Sequence, residues 1–251
     1  MTKIRIILLA VICLNLTNCT NEKHKFPIDK RYWDTQDYAE VVRELNYGYK
    51  SDEQLPTFDD PNTRIIVEKL TDPQNYAVVL DDKELGLKHR NEVAETFFLR
   101  WKDMQDIYQA TDRKDKYLYD KEMLAVWQFG LGLQLKYFKL GNDNILESAD
   151  DPNSARVKNQ INSNVNTLIK NYVIYLDGIN QESALSNKGK EKLSAGIDKY
   201  FTELVQSYPE ANYSGLEKKI ELMEKKTESD QIKNSLSKLK QLIESKKTPE
   251  Q

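Results

Sequence analysis

The chain is 251 residues long, with 39 % hydrophobic, 10 % aromatic and 31 % charged residues and a formal net charge of −3. That hydrophobic share supports a packed core and excludes a disordered chain; the mildly acidic balance excludes a general binder of nucleic acid or anionic lipid, which needs a basic excess. The length suits one large domain or two small ones.

Lys3 and Arg5 give the start of the chain a positive region, and Ile4 through Leu14 form a nearly unbroken apolar run. That run is about half of the roughly 20 residues a helix needs to cross a bilayer. Residues 1–18 therefore read as a removable signal peptide, not a transmembrane anchor. The signal closes on Leu16-Thr17-Asn18-Cys19, and the only other cysteine, Cys13, lies inside the apolar run. This ending resembles that of the bacterial lipoproteins, whose signals finish with an aliphatic residue, two small residues and a cysteine. Leu16, Thr17 and Cys19 match, while Asn18 stands where Gly, Ala or Ser is usual. The resemblance implies that Cys19 is the lipidation site and first mature residue, with diacylglycerol on sulfur and a further acyl chain on nitrogen. Several acyl chains together make attachment to the membrane effectively permanent. Thr20, and not Asp, follows the cysteine, so the resemblance implies the outer membrane, on its periplasmic leaflet. Removing Lys3 and Arg5 with the signal leaves 35 basic and 40 acidic residues, a net charge of −5.

Residues 19–30 are polar, lack a helical period and are interrupted by Pro27. They read as a lipidated flexible tether that reaches roughly 35 Å at full extension. His24 lies in it, as a solvated side chain.

From residue 31 to 247 the apolar spacing predicts one all-α domain, an irregular multi-helix bundle built on a long central antiparallel helix hairpin. Tyr38, Val41, Val42 and Leu45 share a face of the first helix, with Asp34 or Thr35 as its cap and Gly48 as its stop. Asp60-Pro61 opens a short helix carrying Ile65, Ile66 and Leu70, and Asp72-Pro73 opens another carrying Tyr76, Val79 and Leu80. In both, a capping aspartate precedes a proline already set at helical φ. The central pair runs from about 88 to 110 and from about 115 to 140. Phe97, Trp101, Met104 and Tyr108 mark the inner stripe of the first, and Leu118, Met123, Trp127, Leu131, Leu135 and Phe138 that of the second. The short polar link Thr111-Asp112-Arg113-Lys114 folds them back on each other. Gly141-Asn142-Asp143-Asn144 ends the second. Asp151-Pro152 opens a helix to about residue 180, and Ser186 caps one that Pro209 stops. The tail, about 214–247, forms a C-terminal helical hairpin packed on the body. No convincing strand run is present.

The chemistry-bearing residues are sparse. With Cys19 acylated no free thiol remains, and His89 is the one histidine of the body, so a zinc centre would have to be mostly carboxylate and a Ser-His-Asp triad would have to use His89, yet no Gly-x-Ser-x-Gly turn is present. No metal site or cofactor is expected. The pairs Asp59-Asp60, Asp81-Asp82 and Asp150-Asp151 have the residue types of a glycosidase acid and base, but each falls at a helix boundary where aspartates cap. Asn142-Asp143-Asn144 with Glu147 lacks the spacing of a calcium loop. Gly130-Leu131-Gly132 is no nucleotide fingerprint, since Leu135 stands where a third glycine belongs. Each glycine in a strong helix costs about 1 kcal/mol against alanine, so Gly130 and Gly132 mark close helix packing or a recess that a ligand or partner residue enters. Tyr47, Tyr49, Tyr117 and Tyr119 sit in polar stretches and form a candidate interaction surface, tyrosine being enriched at interfaces.

These features favour a lipid-anchored envelope protein that acts by protein–protein interaction and not by catalysis. Its partners are the membrane, through the acyl chains, and an unidentified protein; nucleic acid is excluded by charge. Size, location and helical composition loosely resemble the lipoprotein immunity proteins that guard the periplasm against toxins. Two alternatives stand beside this: a structural or assembly lipoprotein of an envelope complex, and a carboxylate-dependent glycan hydrolase.

Overall fold

The computed structural model describes residues 26–110 and 118–247. The expected lipidation site Cys19, the first part of the tether and Tyr117 lie outside the described residues. The fold is an all-α multi-helix bundle, with no strand among the described residues.

Helix α1, Thr35–Lys50, starts at a reciprocal cap. Asp34 accepts from the Gln36 and Asp37 amides, and the Asp37 carboxylate accepts in return from the Asp34 amide at 3.1 Å. Such a box satisfies two of the amides left over at a helix start. The expected stop at Gly48 is corrected: the helix runs through a buried Gly48 to Lys50, and the chain turns at Asp52, whose φ of 56° an aspartate tolerates.

Two short helices follow, α2 at Arg64–Leu70 and α3 at Gln74–Leu80. Asp60 and Asp72 each accept from the amide two residues on, at 2.9 Å, and Asp151 does the same with Asn153. The Asp-Pro units are thus Asx turns. Only at Asp72-Pro73 does a helix follow at once; α2 waits for Thr63 and the third case for Ser154.

The central hairpin consists of α4, Leu87–Ala110, and α5, Asp120–Glu147, which pack on each other more extensively than any other pair. Its 3.6-residue apolar period is what makes it the centre of the bundle. Two expectations fail here. Leu118 precedes the helix and is 60 % exposed, not inward-facing. The Gly141–Asn144 stretch does not end α5, because Asn142 is buried and its side-chain oxygen accepts from Asn164 Nδ2 on the next helix at 2.9 Å. That tertiary contact outweighs the local preference to stop.

Helix α6, Ala155–Tyr175, is shorter than expected and passes into a 3₁₀ segment, Leu176–Ala184. Ser186 caps α7, Asn187–Gly196, by accepting from the Gly189 amide at 3.0 Å. A π-helical turn, Ile197–Phe201, then leads into α8, Thr202–Ser207. Helices α9, Ser214–Lys226, and α10, Asp230–Lys246, make the C-terminal hairpin, and α10 lies on α7 and the π turn. A buried contact of 2.7 Å between the Ser194 and Ser235 hydroxyls ties α7 to α10. One hydrophobic cluster extends from Trp33 to Ile243 and takes in every helix of the bundle.

Candidate functional site

Helix α5 separates two recesses, and Gly130 and Gly132 lie within it. At Gly130 an added Cβ would stand 2.0 Å from Trp101 Cε2, so the glycine admits the indole against the helix backbone. At Gly132 it would stand 2.5 Å from the Tyr76 hydroxyl and 3.1 Å from the Tyr200 ring, so that glycine admits two tyrosines from different elements. The reading of this pair as close packing holds at Gly130, and Gly132 in addition opens onto a recess.

The larger recess is a cleft of about 990 Å³ bounded by α3, α5, and the π turn with α8. Gly132, Lys136, Lys139 and Asp143 line it from α5, and their spacing of four, three and four residues places them on one helix face. Tyr76 comes from α3, Lys199 and Tyr200 from the π turn, and Glu203 and Gln206 from α8. Lys83 and Arg90 close the side nearest α4. Tyr76 and Tyr200 are buried and flank Gly132 at the floor. Burial, with the charge of Glu203 adding to it, pushes the Tyr200 hydroxyl up to about 12, and burial followed by the influence of Tyr200 and Glu203 raises that of Tyr76 as well. Both phenols therefore stay protonated at neutral pH and can donate hydrogen bonds into the cleft.

The charged residues of the cleft are not evenly paired. Lys136 forms an ion pair with Asp81 at the rim. Lys199 stands 4.8 Å over the Tyr200 ring. Arg90 donates to the Leu80 carbonyl at 3.3 Å, and its Nε is buried without an acceptor among the described residues. Three carboxylates, Asp81, Asp143 and Glu203, share the same walls.

The second recess, of about 270 Å³, lies between α4, α5 and α6 and is walled by Phe98, Trp101, Trp127 and Tyr175. The Trp127 Nε1 is buried without an acceptor among the described residues.

Of the four tyrosines expected to form an interaction surface, Tyr117 is outside the described residues and Tyr119 is corrected. Tyr119 is buried, accepts from the Leu55 amide at 3.0 Å and meets the Tyr108 ring edge-on at 6.0 Å. Its place in a lysine-rich stretch suggested exposure; the segment before α2 covers it instead. Tyr47 is 55 % exposed near the end of α1, and Tyr49 lines a separate shallow depression with Arg43 and Arg100. Neither lines the cleft beside Gly132. His89 is exposed in the first turn of α4, and no three His, Asp or Glu side chains converge to hold a metal among the described residues.

The tandem aspartates act locally, through the Asx turns of Asp60 and Asp151, a matching bond from the Glu84 amide to Asp82 at 2.9 Å, and the ion pairs of Asp59 with Lys121 and Asp81 with Lys136. Two other acids do structural work that spacing did not reveal. Glu122 is fully buried and accepts from Thr57 Oγ1 at 2.8 Å and the Phe58 amide at 2.6 Å. Asp120 accepts from the Ser186 amide at 2.7 Å beside Gly189.

No protein-family model matches this chain, and neither a curated protein nor a solved structure matches it.

Proposed function

We propose that this is a lipid-anchored protein of the bacterial envelope, acylated at Cys19 and held on the periplasmic leaflet of the outer membrane, that acts by binding another protein. The signal-like start and Leu16-Thr17-Asn18-Cys19 support the anchor. No described helix is long and apolar enough to cross a membrane, so in this reading attachment falls to the acyl chains. The observation that carries the binding reading is the open cleft beside Gly132, with two protonated tyrosines at its floor and cations around its mouth. Protection against a periplasm-acting toxin is the role preferred within this class, and assembly of an envelope complex is the second.

The test is to crosslink intact cells, capture the chain by a C-terminal tag and identify what accompanies it. One near-stoichiometric partner that is toxic in the periplasm without this protein supports the protective role. Several resident envelope proteins support the assembly role, and capture of no protein overturns both. Labelled palmitate should enter the native chain and not Cys19→Ser.

A carboxylate-dependent glycan hydrolase draws support from Asp81, Asp143 and Glu203 sharing one cleft. It requires turnover of envelope glycan by the native protein that Glu203→Gln abolishes; the binding reading expects no turnover by either.

A further inference from the structure

We propose that the cleft beside Gly132 receives an acidic segment of the partner protein, one of whose carboxylates sits against the Tyr76 and Tyr200 hydroxyls. The inference rests on the reading that the chain works by binding a protein, and adds where the partner binds and by what chemistry.

Charge is the first argument. The chain as a whole is acidic, at −3, yet cations predominate on this cleft. Lys136 is neutralised by Asp81, but Lys83, Arg90, Lys139 and Lys199 have no carboxylate partner among the described residues. Asp143 and Glu203 offset only part of that excess. A cleft whose walls carry one predominant sign concentrates ligands of the other sign and steers their approach. An acidic protein with a locally cationic groove therefore selects an anionic contact without becoming a general anion binder.

The second argument is unspent hydrogen-bonding capacity. A guanidinium cannot shed its proton, so the buried Arg90 Nε is a permanently charged donor without an acceptor among the described residues. A buried donor left unmade costs roughly 1–3 kcal/mol, which is tolerated more readily where a ligand completes the set. At the floor, neither the Tyr76 nor the Tyr200 hydroxyl has a protein partner among the described residues. Held in the neutral form, both donate, and a carboxylate accepts on two oxygens.

Backbone geometry agrees. Lys199 and Tyr200 come from the π turn Ile197–Phe201, a rare widening of the helix that is frequent at functional sites. Gly132 is the position where a side chain would fill the floor, its Cβ falling 2.5 Å from the Tyr76 hydroxyl. The volume, about 990 Å³, is at the upper end of the range for small-molecule pockets. An open space of that size suits a stretch of polypeptide better than a free small anion.

The full-length chain in non-ionic detergent would be titrated calorimetrically with hexaglutamate, hexaglutamine and inorganic phosphate. Hexaglutamate should bind, hexaglutamine should not, and affinity should fall as salt is raised. Lys139→Glu with Lys199→Glu should weaken hexaglutamate binding about tenfold or more. A control of equal charge, Lys158→Glu with Lys170→Glu on the exposed side of α6, should bind as the native chain does. Tyr200→Phe should weaken binding while the helical circular dichroism is kept.

Absence of hexaglutamate binding, equal binding of hexaglutamine, or equal loss in the two double variants would overturn the proposal. Phosphate binding as tight as that of hexaglutamate would replace it with a small-anion site. Capture from crosslinked cells separates this failure from failure of the function. If the Lys139/Lys199 variant captures the same partner as the native chain, the cleft is not the docking site and protein binding stands. If neither captures a partner while hexaglutamate binds as expected, the protein-binding reading falls.

Discussion

The indole of Trp101 crosses the backbone of α5 at Gly130 while its Nε1 donates to the Val126 carbonyl one turn earlier, at 2.8 Å. The hydrogen bond fixes the ring where the missing side chain leaves room. In an exposed helix, replacing glycine by alanine gains about 1 kcal/mol. Here the new methyl meets a ring that cannot slide without breaking its bond, and overpacking of this kind costs about 1–3 kcal/mol. Gly130→Ala should therefore lower the urea midpoint at unchanged slope. A variant more stable than the native chain would show that the hairpin yields.

Glu122 has no exposed surface and holds Thr57 and Phe58 against the first turn of α5. Removing the acceptor strands both donors, at about 1–3 kcal/mol for each. Glu122→Ala should cost about 3 kcal/mol or more. Glu122→Gln keeps an amide oxygen for them and should cost less. Denaturant melts would show that ordering, and equal losses for the two variants would contradict it.

Tyr119 is a second internal fastener, since its hydroxyl receives the Leu55 amide at 3.0 Å. Tyr119→Phe keeps the ring and strands that amide, for an expected loss of about 1–3 kcal/mol. A loss below about 0.5 kcal/mol, the usual range for surface changes, would mark it as a surface residue after all.

Alkaline pH should unfold the protein cooperatively. Burial raises the hydroxyls of Tyr38, Tyr76, Tyr108, Tyr172 and Tyr175 above their ordinary value of 10.0, and that of Tyr200 to about 12. Below pH 10 these phenols are neutral in both states and their contribution is intact. Above it the unfolded chain releases protons that the folded chain keeps, so stability falls with rising pH. For Tyr200 that loss runs from pH 10 to about 12. Phenolate absorbance should rise together with the loss of helical signal, and free titration of all tyrosines at pH 10 in a folded protein would refute the burial described.

The hairpin of α4 and α5 was legible because Phe97, Trp101, Met104 and Tyr108 keep helical spacing on a strongly apolar stripe, and the stripe outlasts any local ambiguity. Its ends were not. Gly141 resembles a stop until Asn142 finds Asn164, a contact made only after folding. Leu118 and Tyr119 exchange their expected places because the Leu55 segment, remote in sequence, covers one and not the other. The cleft was half visible: Gly132, Lys136, Lys139 and Asp143 share a face that spacing alone could have shown. Tyr76 and Tyr200 looked like ordinary core positions, and the π turn that aims Lys199 has no residue signature.

The C-terminal hairpin tests whether the bundle unfolds as one unit. Ile232, Leu236, Leu239 and Ile243 of α10 are buried against α7, the π turn and α9. Burying one such side chain stabilises by about 1.5–3 kcal/mol, so the four together contribute roughly 6–12 kcal/mol. A natural domain holds only about 5–15 kcal/mol in total. Deleting residues 230–251 also removes the Ser235 partner of the Ser194 hydroxyl. The shortened chain should lose its cooperative melt and bind a hydrophobic dye, whereas Ser235→Ala, which removes one hydroxyl contact, should lower the melting point by only a few degrees. A deleted chain that melted sharply near the native temperature would show that the hairpin is an appendage, and would leave the cleft on a core from residue 31 to about 213.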